Sequence, residues 1–574
     1  MKYSSIPSAQ TVVYHCKSRG IKDVVISPGS RNAPLTIGFA EDDFFSCYSI
    51  VDERCAAFFA LGISQQIRRP VILVCTSGSA LLNYYPAISE AYYSDIPLVV
   101  ISADRPQYKI DIGDGQTIRQ ENVFKNHIGY SANLKLDPEF NLEIGKEKSL
   151  SKQEVQDFND DELNKALLIA TSHRTPVHIN VPFEEPLYET LKIPTVVPSL
   201  DNPNTSEDSS SDDIQKFIEI WNRADKKMIL VGTHYPEQID TQILEKLAKD
   251  DAVLVFTETT SNLHHPTFFP SIDSIIAPIE KKEDRDEHFR KLQPSVLLTF
   301  GGMIVSKKVK AFLRAYPPEH HWHVDSKKAF NTFFNLSHHF KKDTSLFFKE
   351  LLKNPSVRQS DYYNYWAGIK DHYVAMRKRY LDEIPFTDML AFATIMKQIP
   401  LGYQLQLANS STVRYTQLFD VHPSLRVFSN RGTSGIDGST STAIGAALYN
   451  ENPTLLLTGD LSFFYDSNGF WNDYIRPDFR VIVINNGGGG IFRILPGKGA
   501  TAHFEKYFET VHDLKIERLC AFYDLEYSLA DDVVNLNSSL AQFYEPSSRP
   551  KLLEIRTPRV KNDEILLNYF DFIS

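Results

Sequence analysis

Short, nearly continuous apolar runs alternate with longer amphipathic stretches along most of this chain. The runs at 23–27, 71–75, 98–102 and 177–181 are rich in Val, Ile and Leu, as expected of strands buried on both faces. Helical patterns at 55–67 and 80–92 stand between them. A second series follows at 228–231, 252–256, 295–299 and 320–324, and a third at 404–408, 426–428, 454–457, 480–484 and 551–555. Strands separated by helix-length segments give parallel sheets with crossover helices. The pattern therefore predicts three consecutive α/β domains with mostly parallel sheets. The expected divisions are an N-terminal domain at 1–190, a linker at 191–213, a central domain at 214–350, a helical connection at 351–384 and a C-terminal domain at 385–574. The linker is rich in Pro, Ser and acidic residues.

Composition narrows the function classes. With 574 residues the chain is too long for one core. Its 42% hydrophobic and 23% charged content is that of an ordinary globular protein. A net charge of −11 argues against a general nucleic-acid binder, so any anionic ligand must meet a local cationic cluster. Five cysteines, without metal-type spacing and mostly in apolar surroundings, read as buried thiols of a reducing compartment. No basic-then-apolar leader and no membrane-length apolar run is present. The expectation is a cytoplasmic protein with no membrane partner.

Candidate chemistry concentrates at strand ends. Gly459-Asp460-Leu461-Ser462 closes one apolar run, and Asn485-Asn486-Gly487-Gly488 closes the next. The stretch 462–475 between them is long enough for one crossover helix. That arrangement brings a carboxylate and a carboxamide to the carboxyl edge of a parallel sheet, where such sheets bind ligands. Asp460, the Asn486 amide oxygen and the Gly488 carbonyl form a hard-oxygen set suited to a small dication that also holds phosphates. Two polar strand caps are the plain alternative. Ser410 and Ser411 open a strand-to-helix turn that offers hydroxyls and N–H groups to a diphosphate, or a simple cap. Residues 429–438 hold three glycines, which lets the backbone at Gly435 and Ile436 approach a flat ligand. The run from Gly487 to Ile491 and Phe492 is expected to close as a mobile loop. Glu53 starts the 55–67 helix, where the macrodipole favours an acid in any case. Ser30, Arg31, Arg105, Gln116, Lys307, Arg414 and Arg431 stand at strand ends. Each alone reads as a surface or capping residue, and together they suit a pocket for several carboxylates.

Read in order, several motifs resemble the thiamine diphosphate enzymes, and within them the menaquinone-pathway synthases. They are Ser-Pro-Gly-Ser-Arg (27–31), Asp-Glu-Arg (52–54), Thr-Ser-Gly (76–78), Ala-Asp-Arg-Pro (103–106), Gln-x-Ile-Arg-Gln (116–120), Asn-Arg-Gly-x-Ser-Gly-Ile-Asp-Gly (430–438), Gly-Asp-Leu-Ser (459–462) and Asn-Asn-Gly-Gly-x-x-Ile-Phe (485–492). The resemblance implies thiamine diphosphate and Mg²⁺ (or Mn²⁺) as cofactors, with Asp460, Asn486 and Gly488 as metal ligands. It implies decarboxylation of 2-oxoglutarate and conjugate addition of the succinyl carbanion to isochorismate. Glu53 becomes the catalytic acid–base group at the aminopyrimidine ring, in a site shielded from water. Ser410, Ser411, Gly435, Ile436, Gly459, Asp460, Leu461, Ser462, Asn486, Gly488 and Ile491 would hold the cofactor. Ser410, Arg414 and Arg431 suit the distal carboxylate of 2-oxoglutarate. Ser30, Arg31, Arg105, Gln116 and Lys307 suit isochorismate, and Ile491 and Phe492 give an apolar wall. The family pattern also implies a homodimer with shared active sites, or a dimer of dimers. Leu461 replaces the second glycine of many relatives, which favours this branch, and the four-glycine run replaces a stretch richer in side chains. An acetohydroxyacid synthase-like enzyme for pyruvate and a catalytically silent protein of the same fold are the alternatives.

Overall fold

Every side chain of Val71–Cys75 and Leu98–Asp104 is buried, so these strands sit at the middle of their sheet. The computed structural model describes residues 2–138, 150–200, 214–354, 359–494 and 502–574. The first sheet runs in the order Ser46–Ser49, Asp23–Ile26, Val71–Cys75, Leu98–Asp104, Val177–Pro182, Tyr130–Asn133, with parallel pairs throughout. The second is a parallel five-stranded sheet ordered Val253–Phe256, Lys227–Val231, Val296–Phe300, His320–Val324, His338–Phe340. The third is ordered Arg426–Ser429, Gln404–Leu407, Thr454–Gly459, Arg480–Asn485, Lys551–Arg556, Glu526–Ala530. A two-stranded antiparallel pair, Tyr3–Ser4 with Thr190–Leu191, completes the set. The α/β class and the mostly parallel sheets are as expected. Four strands that the apolar pattern did not predict, Ser46–Ser49, Tyr130–Asn133, His338–Phe340 and Glu526–Ala530, are each the outermost strand of their sheet. Edge strands have one solvated flank and need no apolar run.

The described chain forms two compact units. The first holds residues 1–207 together with 432–454 and 462–479, and the second holds 208–431, 455–461 and 480–574. The acidic, Ser-rich part of the expected linker, 201–213, lies outside the described residues.

In the first unit, Glu53–Ile67 and Ser439–Leu448 cross at glycine. A Cβ on Gly62 would stand 2.0 Å from the Thr442 carbonyl oxygen, and one on Gly445 2.0 Å from that of Phe59. The backbones touch because neither residue has a side chain. In the second unit, one apolar cluster runs from Met228, Leu254 and Leu297 of the second sheet to Leu405, Leu455 and Ile482 of the third.

Several helices are shorter than their patterns. The 80–92 pattern is two helices, Ser79–Asn83 and Tyr85–Ser94, because Pro86 lacks the N–H needed to continue across the junction. The 462–475 crossover is reduced to Asp460–Tyr465 and a tight turn at Ser467–Phe470. Asp466 turns back to the preceding helix there, its carboxylate accepting from Ser441 N–H at 2.7 Å. Among the described residues, no helix is long and apolar enough to cross a membrane.

Candidate active site

In the first unit, Glu53 is the first residue of Glu53–Ile67, and Asp52 caps that helix by accepting from Cys55 N–H at 3.2 Å. The Glu53 carboxylate is half-buried and accepts from Asn83 Nδ2 at 3.1 Å. The helix start thus aims a carboxylate outward from an otherwise apolar element, whose next residues from Cys55 to Gln65 are all buried.

Arg31 is buried and donates to the Phe183 carbonyl at 3.0 Å and to Glu185 at 3.2 Å. Burial and the nearby Arg105 guanidinium push Arg31 below its ordinary value, while Glu185 and Glu184 oppose them. Two arginines therefore share one neighbourhood, the condition for gripping an anion. Arg105 donates to the Gly115 carbonyl at 2.9 Å. Behind this segment lies a buried polar network. Gln120 accepts from Gly78 N–H at 2.9 Å and donates to Asn180 at 2.8 Å, and Asn180 donates to Asp104 at 2.9 Å. Burial pushes the Asp104 carboxyl up to about 6, against Asn180 and the two arginines. Ser30 and Gln116 are exposed, Gln116 with φ of 56°. Its carbonyl is held by Ser77 Oγ at 2.9 Å.

The loop carrying Gly435 and Ile436 is gripped by Glu90, a residue the sequence reading missed. Glu90 is 1% exposed and accepts from Gly432 N–H (2.7 Å), Thr433 N–H (2.6 Å), Thr433 Oγ1 (2.9 Å) and Ser94 Oγ (2.7 Å). Four N–H and O–H donors satisfy this buried carboxylate. Ser462 Oγ donates to the Ile436 carbonyl at 2.6 Å, and Ile436 is 39% exposed, with its side chain open to a ligand.

In the second unit, Gly459 pairs with Ile484 in the parallel register, so Asp460 and Asn486 leave adjacent strands side by side. Asp460 is 3% exposed. Its Oδ1 accepts from Leu461 N–H at 2.7 Å, and its Oδ2 from Gly488 N–H at 2.9 Å and His512 Nε2 at 3.2 Å. Gly488 has φ of 149°, which lets its N–H face Asp460, and its carbonyl accepts from Gly490 N–H at 3.0 Å. A Cβ on Gly459 would meet nothing within 4 Å, so space for an approaching group lies against the strand end. One carboxylate, one carboxamide and this open backbone fit a dication that takes its remaining oxygens from a diphosphate and water.

A cavity of about 270 Å³ gathers Lys307, Ser411, Arg414 and Ile491, with Leu418, Leu566 and Phe570 as apolar wall. Ser410 has φ of 68° and does not cap its helix with its side chain. Non-glycine residues there are strained, and such strain gathers at functional sites. Its carbonyl accepts from Arg414 at 2.7 Å. Burial pushes the Arg414 guanidinium down, while Asp273 and Glu258 support its charge. Arg431 is buried and donates to Asn409 at 2.5 Å, off the cavity wall. Phe492 also lies off that wall and packs on Phe508 with ring centroids 6.0 Å apart.

Glu258 was likewise unforeseen. It accepts from Val305 and Ser306 N–H, both at 2.7 Å, and Ser306 caps Lys307–Ala315 through Val309 N–H at 3.1 Å. The clamp sets the start of the Lys307 helix. Burial pushes the Glu258 carboxyl up to about 7, against those two N–H groups and Arg431. Glu90, Glu258 and the Gln120 network bind loops far away in sequence, and no local motif announces them. Only the Gln120 network overlaps quoted motifs, through Gly78, Asp104 and Gln120 itself.

Comparison with known proteins identifies the family. Residues 8–128 match the model of the thiamine pyrophosphate enzyme N-terminal TPP binding domain. A 2-succinyl-5-enolpyruvyl-6-hydroxy-3-cyclohexene-1-carboxylate synthase of Christiangramia forsetii is 55% identical over 575 residues, spanning 100% of both chains. One of Flavobacterium johnsoniae is 51% identical, covering 99% of each chain. Benzoylformate decarboxylase from Polynucleobacter necessarius shares the fold, with a TM-score of 0.66 at 14% identity over 96% of this chain and 98% of its own. The chain therefore belongs to the family of 2-succinyl-5-enolpyruvyl-6-hydroxy-3-cyclohexene-1-carboxylate synthases, within the thiamine pyrophosphate enzymes.

Proposed function

We propose that this protein decarboxylates 2-oxoglutarate and adds the succinyl unit to isochorismate, as a step of menaquinone biosynthesis. The reading includes Mg²⁺ (or Mn²⁺) beside thiamine diphosphate, a cytoplasmic location, and a homodimer with shared active sites or a dimer of such dimers. The observation that carries it is the paired strand end, with Asp460 and Asn486 emerging side by side from Gly459 and Asn485. Bound thiamine diphosphate would supply the electron sink for loss of CO₂ from a 2-oxoacid.

The chain's own residues do the rest. Glu53 holds and returns a proton at the aminopyrimidine ring. Asp460, Asn486 and Gly488 seat the dication, while Ser410, Ser411, Gly459, Leu461 and Ser462 line the diphosphate end. Arg414, in an apolar-walled cavity, suits a carboxylate carried on a short methylene chain, with Ser410 held to it through its carbonyl; Arg431, proposed for the same carboxylate, lies off that wall. Arg31, Arg105, Ser30 and Gln116 receive the carboxylates of isochorismate, and Lys307, proposed with them, lines the Arg414 cavity. Ile491 and Phe492 keep water from the reacting carbon. Four buried thiols and one half-buried thiol, none in a disulfide, support the cytoplasmic reading.

The test is an incubation with both cofactors, 2-oxoglutarate and isochorismate, against a parallel one with pyruvate. A product whose mass combines both substrates less CO₂ is expected only in the first. Turnover of pyruvate alone would overturn the substrate assignment.

A further inference from the structure

The two side chains read as dication ligands are each held from behind by a residue with no role so far. Asn486 donates from Nδ2 to Asp388 Oδ2 at 2.9 Å. Asp388 is 2% exposed and opens the helix Asp388–Gln398. Its other oxygen accepts from Thr557 Oγ1 at 2.5 Å, and its backbone N–H donates to Asn562 at 2.9 Å. An ionised carboxylate is acceptor-only, so Asn486 must turn its NH₂ toward Asp388. The amide oxygen, the only atom of that side chain able to bind a hard cation, is thereby turned the other way.

Asp460 has the complementary arrangement. His512 Nδ1 accepts from Leu514 N–H at 3.3 Å, so Nε2 carries the ring proton and donates to Asp460 Oδ2 at 3.2 Å. The His512 backbone N–H donates to the Gly487 carbonyl at 3.3 Å. Three residues earlier, the Glu509 carbonyl accepts from Gly489 N–H at 2.6 Å. The Glu509 carboxylate is anchored in turn by Arg493 at 2.6 Å and Arg559 at 2.8 Å. One residue therefore touches both the carboxylate, through its ring, and the glycine run beside it, through its backbone N–H.

We infer that His512 and Asp388, the latter backed by Thr557, are positioning residues that preset Asp460 and Asn486 for a divalent cation. The inference rests on the proposed reading of Asp460 and Asn486 as ligands. His512 orients the carboxylate and ties it to the 487–490 turn, while Asp388 selects which end of the Asn486 amide faces the ion. Outer partners of this kind are worth about 10–100-fold in metal affinity.

The experiment measures the Mg²⁺ concentration needed for half-maximal thiamine diphosphate binding by the full chain, without substrate, alongside the melting temperature of the metal-free protein. H512A and D388A should each raise the Mg²⁺ requirement by about 10-fold or more. H512Q, whose side-chain amide can still donate to Asp460, should recover most of the loss. D388N, which preserves side-chain volume, and T557V, which removes only the supporting hydroxyl, keep the test open should D388A fail to fold. Both should give smaller increases. Variants that melt like the wild type and keep its Mg²⁺ requirement would overturn the inference, as would H512Q no better than H512A. Wild-type protein that binds thiamine diphosphate without Mg²⁺ would overturn the ligand assignment beneath it, a distinguishable outcome.

Discussion

Glu53 is the residue on which turnover should depend most sharply. It sits at a helix start with Asn83 as its side-chain partner, and nothing in the packing of Glu53–Ile67 requires its charge. Glu53→Gln should therefore leave fold and cofactor affinity nearly intact while cutting turnover roughly 10²-fold or more. Hydrogen–deuterium exchange at C2 of bound thiamine diphosphate is the direct measurement, and exchange at the wild-type rate would remove Glu53 from this role. At this scale the sequence points to candidates where chemistry and a local motif coincide, as at Glu53, Asp460 and Asn486. It was silent at Glu90, Glu258, Asp388 and His512. Those are ordinary polar residues whose meaning comes from a loop or strand end brought beside them by the fold. Glu90 reaches Gly432 across 342 positions, and no sequence window holds both.

Among elements, the junction between Glu53–Ile67 and Ser439–Leu448 depends on Asp466. It accepts from Ser441 N–H at 2.7 Å and Ser441 Oγ at 3.0 Å, with Cys55 Sγ at 3.7 Å and Arg54 at 3.9 Å. Burial pushes its carboxyl up to about 6, opposed by Ser441 N–H and Arg54. A carboxyl raised in the folded state binds its proton more tightly there than in the unfolded chain. Its stabilising contribution is thus present in full below the unfolded value and is lost as pH rises through about 6. Asp466→Asn keeps an oxygen for Ser441 N–H and cannot ionise. The variant should gain on the wild type as pH rises from about 4.5 to about 7.5, by at most about 1.4 kcal/mol per pH unit across the titration. Paired melting curves over that range check it, and a pH-independent difference would contradict it. The same scale shows why the strands in the middle of each sheet were legible while four of the six rim strands were not, Val253–Phe256 and Arg426–Ser429 being rim strands that do read as apolar runs. Leu98–Asp104 is buried along its whole length and reads as an apolar run, whereas Ser46–Ser49 has no fully buried residue and carries a serine at each end.

For the molecule as a whole, the proposed shared sites can be tested by mixing. Glu53→Gln and Asp460→Ala chains, each inactive alone, should regain activity after subunit exchange if a site draws Glu53 from one chain and Asp460 from another. A mixed dimer would then hold one intact site. Verified exchange without recovery would count against the arrangement. Three sheets of the expected class were legible in the sequence, because period and burial are local properties. The way the chain interleaves was not. Residues 432–454 and 462–479 pack with the first unit, while the strand between them belongs to the third sheet and the second unit. A gene divided at the linker would thus strand the partner of Gly62 and Gly445 on the wrong fragment. The N-terminal half made alone should be insoluble, and the two halves co-expressed should rejoin into active protein. For this chain, the boundary most visible in the sequence does not by itself separate one compact unit from the other, because 432–454 and 462–479 belong with the residues on its far side.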